Sequence, residues 1–284
     1  MPSLKDTKRR IASVKSTQKI TRAMKLVSSA KYARANRELL KSQPYRTAFS
    51  KLFEHMAYQG NQSSPLTAKR PEKRCLLIVL TTDRGLCGGL NSNLIKKTKA
   101  ILQKKHADGV GVDLVLWGRR ASMGFAQSGL KIFDQKLSVM DHPSFDLVKD
   151  YSNQFRSLFE AQTYDRIEIV YPAFVNVVSQ VATQKTLYPV EAPQTAETFG
   201  VEPVVEPDRE TLYEEVLSQH VTNILYGVIQ EGAASEHAAR MTAMDNATNN
   251  AEEVVRALTI QYNRARQAAI TKELIEITSG AEAL

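Results

Sequence analysis

The run TTDRGLCGGLNSN (Thr81–Asn93) is the part of this 284-residue chain whose residue types could do chemistry. Glycines placed after an apolar strand and before a helix can present backbone N–H groups to a phosphate. The spacing here is not GxGxxG, and the GK[ST] ending of a P-loop is missing. The preferred reading is structural: Gly85, Gly88 and Gly89 serve a tight turn, while Asp83 and Arg84 pair with each other or cap the loop. A nucleotide-binding α/β enzyme using the DRGLCGG loop is the alternative. Cys87 could be a nucleophile near a helix N-terminus, where its pKa would fall. The histidines His55, His106, His142, His220 and His237 offer no local partner pattern for a Cys/His pair. Glu236 precedes His237, but neither HxxE nor HExxH spacing follows, so no metal set and no cofactor are expected.

The elements that would position this loop form a compact α/β unit. CLLIVLTT (Cys75–Thr82) is a continuous apolar run of the kind found in a buried parallel strand. A helix is expected from about Asn91 to His106, then a strand at Val112–Gly118, a helix at Arg119–Ser128 and a strand near Lys131–Phe133. Alternation of strand and helix predicts a parallel sheet with right-handed crossovers. A further helix is expected over Pro143–Ala161, and two strands over Arg166–Val190 joined near Ala173–Asn176. Polar linkers flank this unit, at Gly60–Pro71 and at the proline-rich stretch Pro193–Pro207.

Both ends of the chain read as rods. From Leu4 to Tyr58 only Pro44 interrupts a helix-compatible run, and no proline follows Pro207. A helix of about 75 residues would span roughly 110 Å, so it needs a partner. Met244, Ala247, Ala251, Val254, Leu258, Tyr262, Ala265 and Ala269 step by three and four with one stutter. Ala23, Leu26, Ala30, Ala33, Arg37 and Leu40 give the N-terminal rod the same stepping. Residues 1–58 hold 14 Lys+Arg against 3 Asp+Glu, and residues 206–284 hold 6 against 13. Opposite charge favours pairing of the two rods, with register coming from the seam.

Hydrophobic content of 43% and charged content of 24% are ordinary for a soluble protein. No apolar run approaches bilayer length, and MPSLKDTKRR lacks the apolar segment of a secretory signal. Two cysteines, Cys75 and Cys87, fit a reducing compartment with both thiols free. A pI near 9.4 raises a basic coiled-coil nucleic-acid binder as a second alternative. Against it, the basic helix lacks interleaved aromatics and any recognised nucleic-acid motif, so no nucleic-acid partner is expected.

KSTQKITRAMKLVSSAK (Lys15–Lys31), LTTDRGLCGGLNSN (Leu80–Asn93), SEHAARMTAMDNATNNA (Ser235–Ala251) and YNRARQAAITKELIEITSGA (Tyr262–Ala281) together resemble the gamma subunits of F-type ATP synthases, of the bacterial type. Ile270, Thr271, Glu273, Glu276, Gly280 and Ala281 match the pattern that marks that family's C-terminus. The resemblance spans nearly the whole chain and is looser in the inserted domain beyond its first strand and loop.

The resemblance implies a long antiparallel left-handed coiled coil of N- and C-terminal helices (residues 1–60 and 207–284) with an inserted α/β, Rossmann-like foot domain (residues 72–195). It implies a central rotor shaft, without a catalytic site of its own, that couples rotation of a proton- or sodium-driven membrane c-ring to ATP chemistry on the beta subunits. The implied partners are the alpha and beta subunits, epsilon and the c-ring. Membrane association would run through the c-ring, on the cytoplasmic side of the inner membrane. By motif correspondence, Met24, Lys25, Arg240, Gln267, Thr271 and Glu273 fall at positions tied to coupling, and Arg9, Arg10, Arg256 and Arg266 would contact acidic loops of beta. The longer C-terminal helix would outrun its partner as a single-helix tip ending near Leu284, where Ala265, Ala268, Ala269, Gly280 and Ala281 keep side chains small. The cysteine-bearing regulatory segment of plastid members is missing, so thiol switching by that route is not expected.

Overall fold

The computed structural model describes residues 4–59, 64–191, 206 and 208–282. The chain divides into two compact units, residues 1–29 with 240–284, and residues 30–239. Helix α1 covers Leu4–Gln59 and helix α5 covers Arg209–Glu282, so both expected rods form, and Pro44 is carried inside α1. Asp208 starts α5 by accepting hydrogen bonds from the Thr211 N–H at 2.8 Å and its hydroxyl at 2.9 Å. Those bonds hold the Asp208 carboxyl below its ordinary value. Most of the proline-rich stretch Pro193–Pro207, part of the linker after Gly60, and the expected tip at Leu284 lie outside the described residues.

The larger unit contains a five-stranded sheet in the order β3-β2-β1-β4-β5, built from β1 (Arg74–Leu80), β2 (Gly111–Trp117), β3 (Ile132–Lys136), β4 (Arg166–Phe174) and β5 (Gln180–Tyr188). The first four strands run parallel and β5 returns antiparallel to β4. Helices α2 (Leu90–Ala107), α3 (Arg119–Phe125) and α4 (Phe145–Glu160) connect them. The helix expected over Arg119–Ser128 therefore ends three residues early, where Ser128 Oγ turns back to donate to the Phe125 carbonyl at 2.8 Å.

Strand β1 is buried on both faces, which is why it reads as an uninterrupted apolar run. Leu76, Ile78 and Leu80 face a core with Trp117, Phe155 and Phe159, completed by Val221 and Leu225 of α5. Leu77 and Val79 face a second core with Leu94, Ile101, Leu114 and Phe125. The amino ends of β1 and β4, two inner strands, carry a charge cluster around buried Glu168 and Lys105. Lys105 meets Glu72 and, at 2.9 Å, Glu168, while Arg166 Nε donates to Glu168 at 2.8 Å. Lys105 and Glu168, the two buried charges, are held because each has opposite partners.

Within the larger unit α1 packs on α5 in antiparallel register. Ser42 Oγ donates to Gln230 at 2.7 Å, and the Phe53 ring stacks on His220 with centroids 3.9 Å apart. The Arg46 guanidinium lies against Gly227 and reaches Glu231 at 3.4 Å. A Cβ at Gly227 would meet Arg46 Nη1 at 2.4 Å, so the close approach depends on glycine there.

Candidate functional site

The face of α1 that turns toward α5 is not the one its alanines suggested. Leu26 is 66% exposed and Leu40 55%, and Ala23, Ala30, Ala33 and Arg37 are also on the open face. The inward positions of the smaller unit are Thr7, Ile11, Val14, Gln18, Thr21, Lys25 and Ser28, still spaced by four and three. In the larger unit Tyr32, Ala35, Leu39, Ser42, Arg46, Phe49 and Phe53 keep that spacing. The heptad is thus regular but half polar, and a search for apolar residues selects the wrong stripe.

On α5 the expected seam is correct at Met244, Ala251, Leu258, Tyr262, Ala265 and Ala269, with two shifts. Thr248 replaces Ala247 as the buried position, and Val255 replaces Val254, which is 44% exposed. With those two residues the steps become four and three throughout, and the stutter disappears.

The two seams meet through polar pairs. Thr21 and Thr248 hydroxyls lie 2.8 Å apart and buried, and Thr248 also donates to its own Met244 carbonyl at 2.7 Å. One turn along α1, Lys25 Nζ donates to Asp245 Oδ1 at 2.6 Å, with both side chains about two-fifths exposed. These pairs fix α1 and α5 antiparallel in the smaller unit as well.

The expected site residues are distributed along this arrangement. Lys25 is in the ion pair, Met24 is half-buried beside it, and Arg240 is buried on α5. Gln267 and Thr271 share one exposed face, where Thr271 Oγ1 donates to the Gln267 carbonyl at 2.9 Å, and Glu273 is exposed nearby in sequence. Arg9, Arg10, Arg256 and Arg266 are all exposed. The structure brings none of these seven exposed residues into a common cluster with Lys25. Asp245, Thr21 and Thr248 were missed because a polar seam gives no hydropathy signal; the unbroken three-four spacing of Thr7 to Ser28 was the available clue.

The glycine loop is closed by its own carboxylate. Asp83 Oδ1 accepts from the Arg119 N–H at 2.9 Å, and Oδ2 accepts from the Ser138 N–H at 2.8 Å. The Asp83 carboxylate thereby ties the loop to the start of α3 and to the turn after β3, which is a capping role. Gly118, at φ +99°, lets β2 turn away beneath Thr81, whose carbonyl would sit 2.1 Å from an added Cβ.

Cys87 is buried and receives the Asn91 side-chain N–H at 3.1 Å. Cys75 is buried as well, and burial pushes its thiol up to about 12, away from nucleophilic use. Both cysteines are free. Among the described residues, no group of three or more His, Cys, Asp or Glu side chains could hold a metal ion, and no helix is long and apolar enough to cross a membrane.

Two long antiparallel helices with polar pairs along their seam, joined to a mostly parallel sheet, define a coiled-coil protein with an inserted α/β domain. A family model described as ATP synthase matches residues 3–284, and the ATP synthase gamma chain of Bdellovibrio bacteriovorus is 40% identical over 293 residues, covering 100% of this chain and 99% of that one. The chain belongs to the ATP synthase gamma chain family. The gamma chain of Erythrobacter litoralis is 42% identical over 293 residues, with 100% of both chains covered.

Among solved structures, a chain of the Euglena gracilis mitochondrial ATP synthase (OSCP/F1/c-ring, rotational state 3) matches with a TM-score of 0.71 at 19% identity, covering 99% of this chain and 94% of that one. A chain of the Tetrahymena thermophila mitochondrial ATP synthase central stalk and c-ring gives 0.61 at 22% identity, covering 80% and 99%. These two likenesses concern the fold. Gamma chains are non-catalytic rotor subunits of the central stalk, and the function of this chain is to couple c-ring rotation to ATP synthesis and hydrolysis.

Proposed function

We propose that residues 1–60 and 207–284 wind into a left-handed coiled coil that stands as a shaft inside a ring of alpha and beta subunits. The regular four-three stepping on both helices supports that hand, because a 3.5-residue period makes straight helices coil leftward around each other. Residues 72–195 form the foot, a Rossmann-like domain by its strand order and by helices on both faces, seated against epsilon and the c-ring. Attachment to the membrane runs through the c-ring, with the chain peripheral on the cytoplasmic side of the inner membrane. Protons, or sodium ions, supply the drive.

A shaft acts on the beta subunits only through a difference. Each beta site binds nucleotide with an affinity set by the side of the shaft it meets, since a partner shifts an equilibrium by its differential interaction with the states. Unlike residues on different faces of α1 and α5 supply that asymmetry: Met24, Lys25 and Arg240 near the helix pair, and Gln267, Thr271 and Glu273 further along α5. Exposed Arg9, Arg10, Arg256 and Arg266 face acidic loops of beta. Ala265 and Ala269 lie on the seam side of α5, while Ile270, Leu274 and Ile277 are exposed on the same stretch and offer apolar contact to the ring.

The observation that carries this reading is the polar antiparallel seam shared by α1 and α5. Replacing Gln267, Thr271 and Glu273 with Ala in the assembled complex tests the residue roles. Ion pumping per ATP hydrolysed should fall while subunit stoichiometry is retained; unchanged pumping in a fully assembled complex overturns the assignments.

A further inference from the structure

In an open parallel sheet, the crevice at the carboxyl ends of the strands, where the strand order reverses, is the usual place for a ligand. Here that crevice lies between β1 and β4, and a segment of α5 occupies it. At Gly232 an added Cβ would sit 3.1 Å from Leu80 Cδ2, at the end of β1, and 2.7 Å from Met140 Sδ. Three residues later Ser235, 0% exposed, donates from Oγ to the Pro172 carbonyl of β4 at 2.9 Å. Ala234 and Ala238 are fully buried beside it, and Ala239 joins the core that contains Leu77 and Val79.

A serine inside a helix ordinarily returns its hydroxyl to a carbonyl one turn back in the same helix. Ser235 spends its hydrogen bond on the sheet instead. Apolar side chains of α5 from Tyr213 to Ala233 already key it into the core, and a buried directional bond adds a constraint that is sensitive to small rotations of the helix about its axis. A second polar contact lies about three and a half turns earlier on α5, where the Thr222 and Ser152 hydroxyls are 2.8 Å apart and buried.

We infer that Gly232–Ala239 is a torque joint: the place where twist passes between the inserted domain and α5, with Ser235 as its positioning residue. This rests on the rotor reading above. Gly232 lets the helix come close enough to lodge in the crevice, Ser235 fixes its rotation against β4, and the Thr222–Ser152 contact fixes it against α4. The crevice that could hold a nucleotide is thereby given to a mechanical contact.

The experiment uses the assembled complex with its alpha-beta ring fixed to a surface and a bead on Lys99→Cys, an exposed position of α2. Angular fluctuation of the bead is recorded with the ring stalled by MgADP. Ser235→Ala should raise the angular variance on the order of twofold, with Thr222→Val adding to it. Ser235→Cys, which keeps the volume and a weak donor, should fall between Ser235→Ala and wild type. A contact that serves folding alone would lower the melting temperature and leave the variance of the assembled rotor unchanged. Wild-type variance in Ser235→Ala, or in Ser235→Cys if the alanine variant does not assemble, overturns the joint. A wild-type bead that never turns with ATP would instead overturn the rotor reading itself.

Discussion

Thr21 of α1 and Thr248 of α5 place their hydroxyls 2.8 Å apart in a buried position, at the centre of a seam that sequence hydropathy assigns to other residues. One hydroxyl donates to the other, and each also has a carbonyl of its own helix within reach, Gln18 for Thr21 and Met244 for Thr248. Thr21→Val or Thr248→Val alone should cost about 1 kcal/mol, because the remaining hydroxyl keeps only its backbone acceptor. The double variant should cost less than the sum of the singles. Denaturant unfolding of the four proteins measures the coupling, and strictly additive costs would reject the pair as an interacting unit.

The Lys105 cluster makes a larger prediction. Lys105→Met leaves the carboxylates of Glu72 and Glu168 with Arg166 as the remaining cation near them. Glu168 is almost wholly buried, so the variant should lose about 3 kcal/mol of stability. Urea unfolding checks this, and a loss within the range of a surface ion pair would show that the cluster is not desolvated.

Acid should loosen the larger unit at His220. Burial is the main cause that lowers its pKa from 6.5 to about 4, with Lys185 adding to the effect, and its ring stacks on Phe53. The unfolded chain takes up this proton more readily than the folded one, so stability is intact above pH 6.5 and falls as pH drops toward 4. The loss from this group is at most about 3 kcal/mol. His220→Gln should flatten that part of the stability profile between pH 6.5 and 4, measured by thermal unfolding across the range. An unchanged slope would place the acid sensitivity elsewhere.

Arg9 and Arg10 are exposed on α1, in a region of strong positive excess. Replacing both with Ala should weaken docking to the alpha-beta ring more at low salt than at high salt, since exposed charges are screened beyond about 10 Å at 0.1 M. A binding titration at several salt concentrations decides it, and a salt-independent loss would reject electrostatic docking.

Legibility in the sequence followed the burial of each element. Strand β1 was readable because both of its faces are covered, leaving no polar residue to interrupt Cys75–Leu80. The lengths of α1 and α5 were readable from the absence of helix breakers, with Pro44 the one exception inside α1. The α1 seam was not, because Thr7, Gln18, Thr21, Lys25 and Ser28 face inward while Leu26 and Leu40 face out. The two helices satisfy one another through hydroxyls and charges, which periodicity of apolar residues does not register. For Asp83 the sequence offers a pair with Arg84 or a cap of its own loop, and neither names the backbone groups it meets. Its partners Arg119 and Ser138 stand 36 and 55 residues away, beyond any local pattern.

The torque joint was hidden for a related reason. SEHAARMTAMDNATNNA marks the family, yet nothing in its spacing says that Ser235 reaches the Pro172 carbonyl across 63 residues of sequence. Small residues in a long helix are compatible with coiled-coil contact, close packing on a sheet or an open surface. The fold decides among them.

The most direct measurement is rotation of this chain inside its own alpha-beta ring. With the ring immobilised and a bead on α2, addition of MgATP should drive sustained turning in one direction at a rate that follows ATP hydrolysis. A bead that stays fixed while the ring hydrolyses ATP, with the chain present at full stoichiometry, would contradict the account.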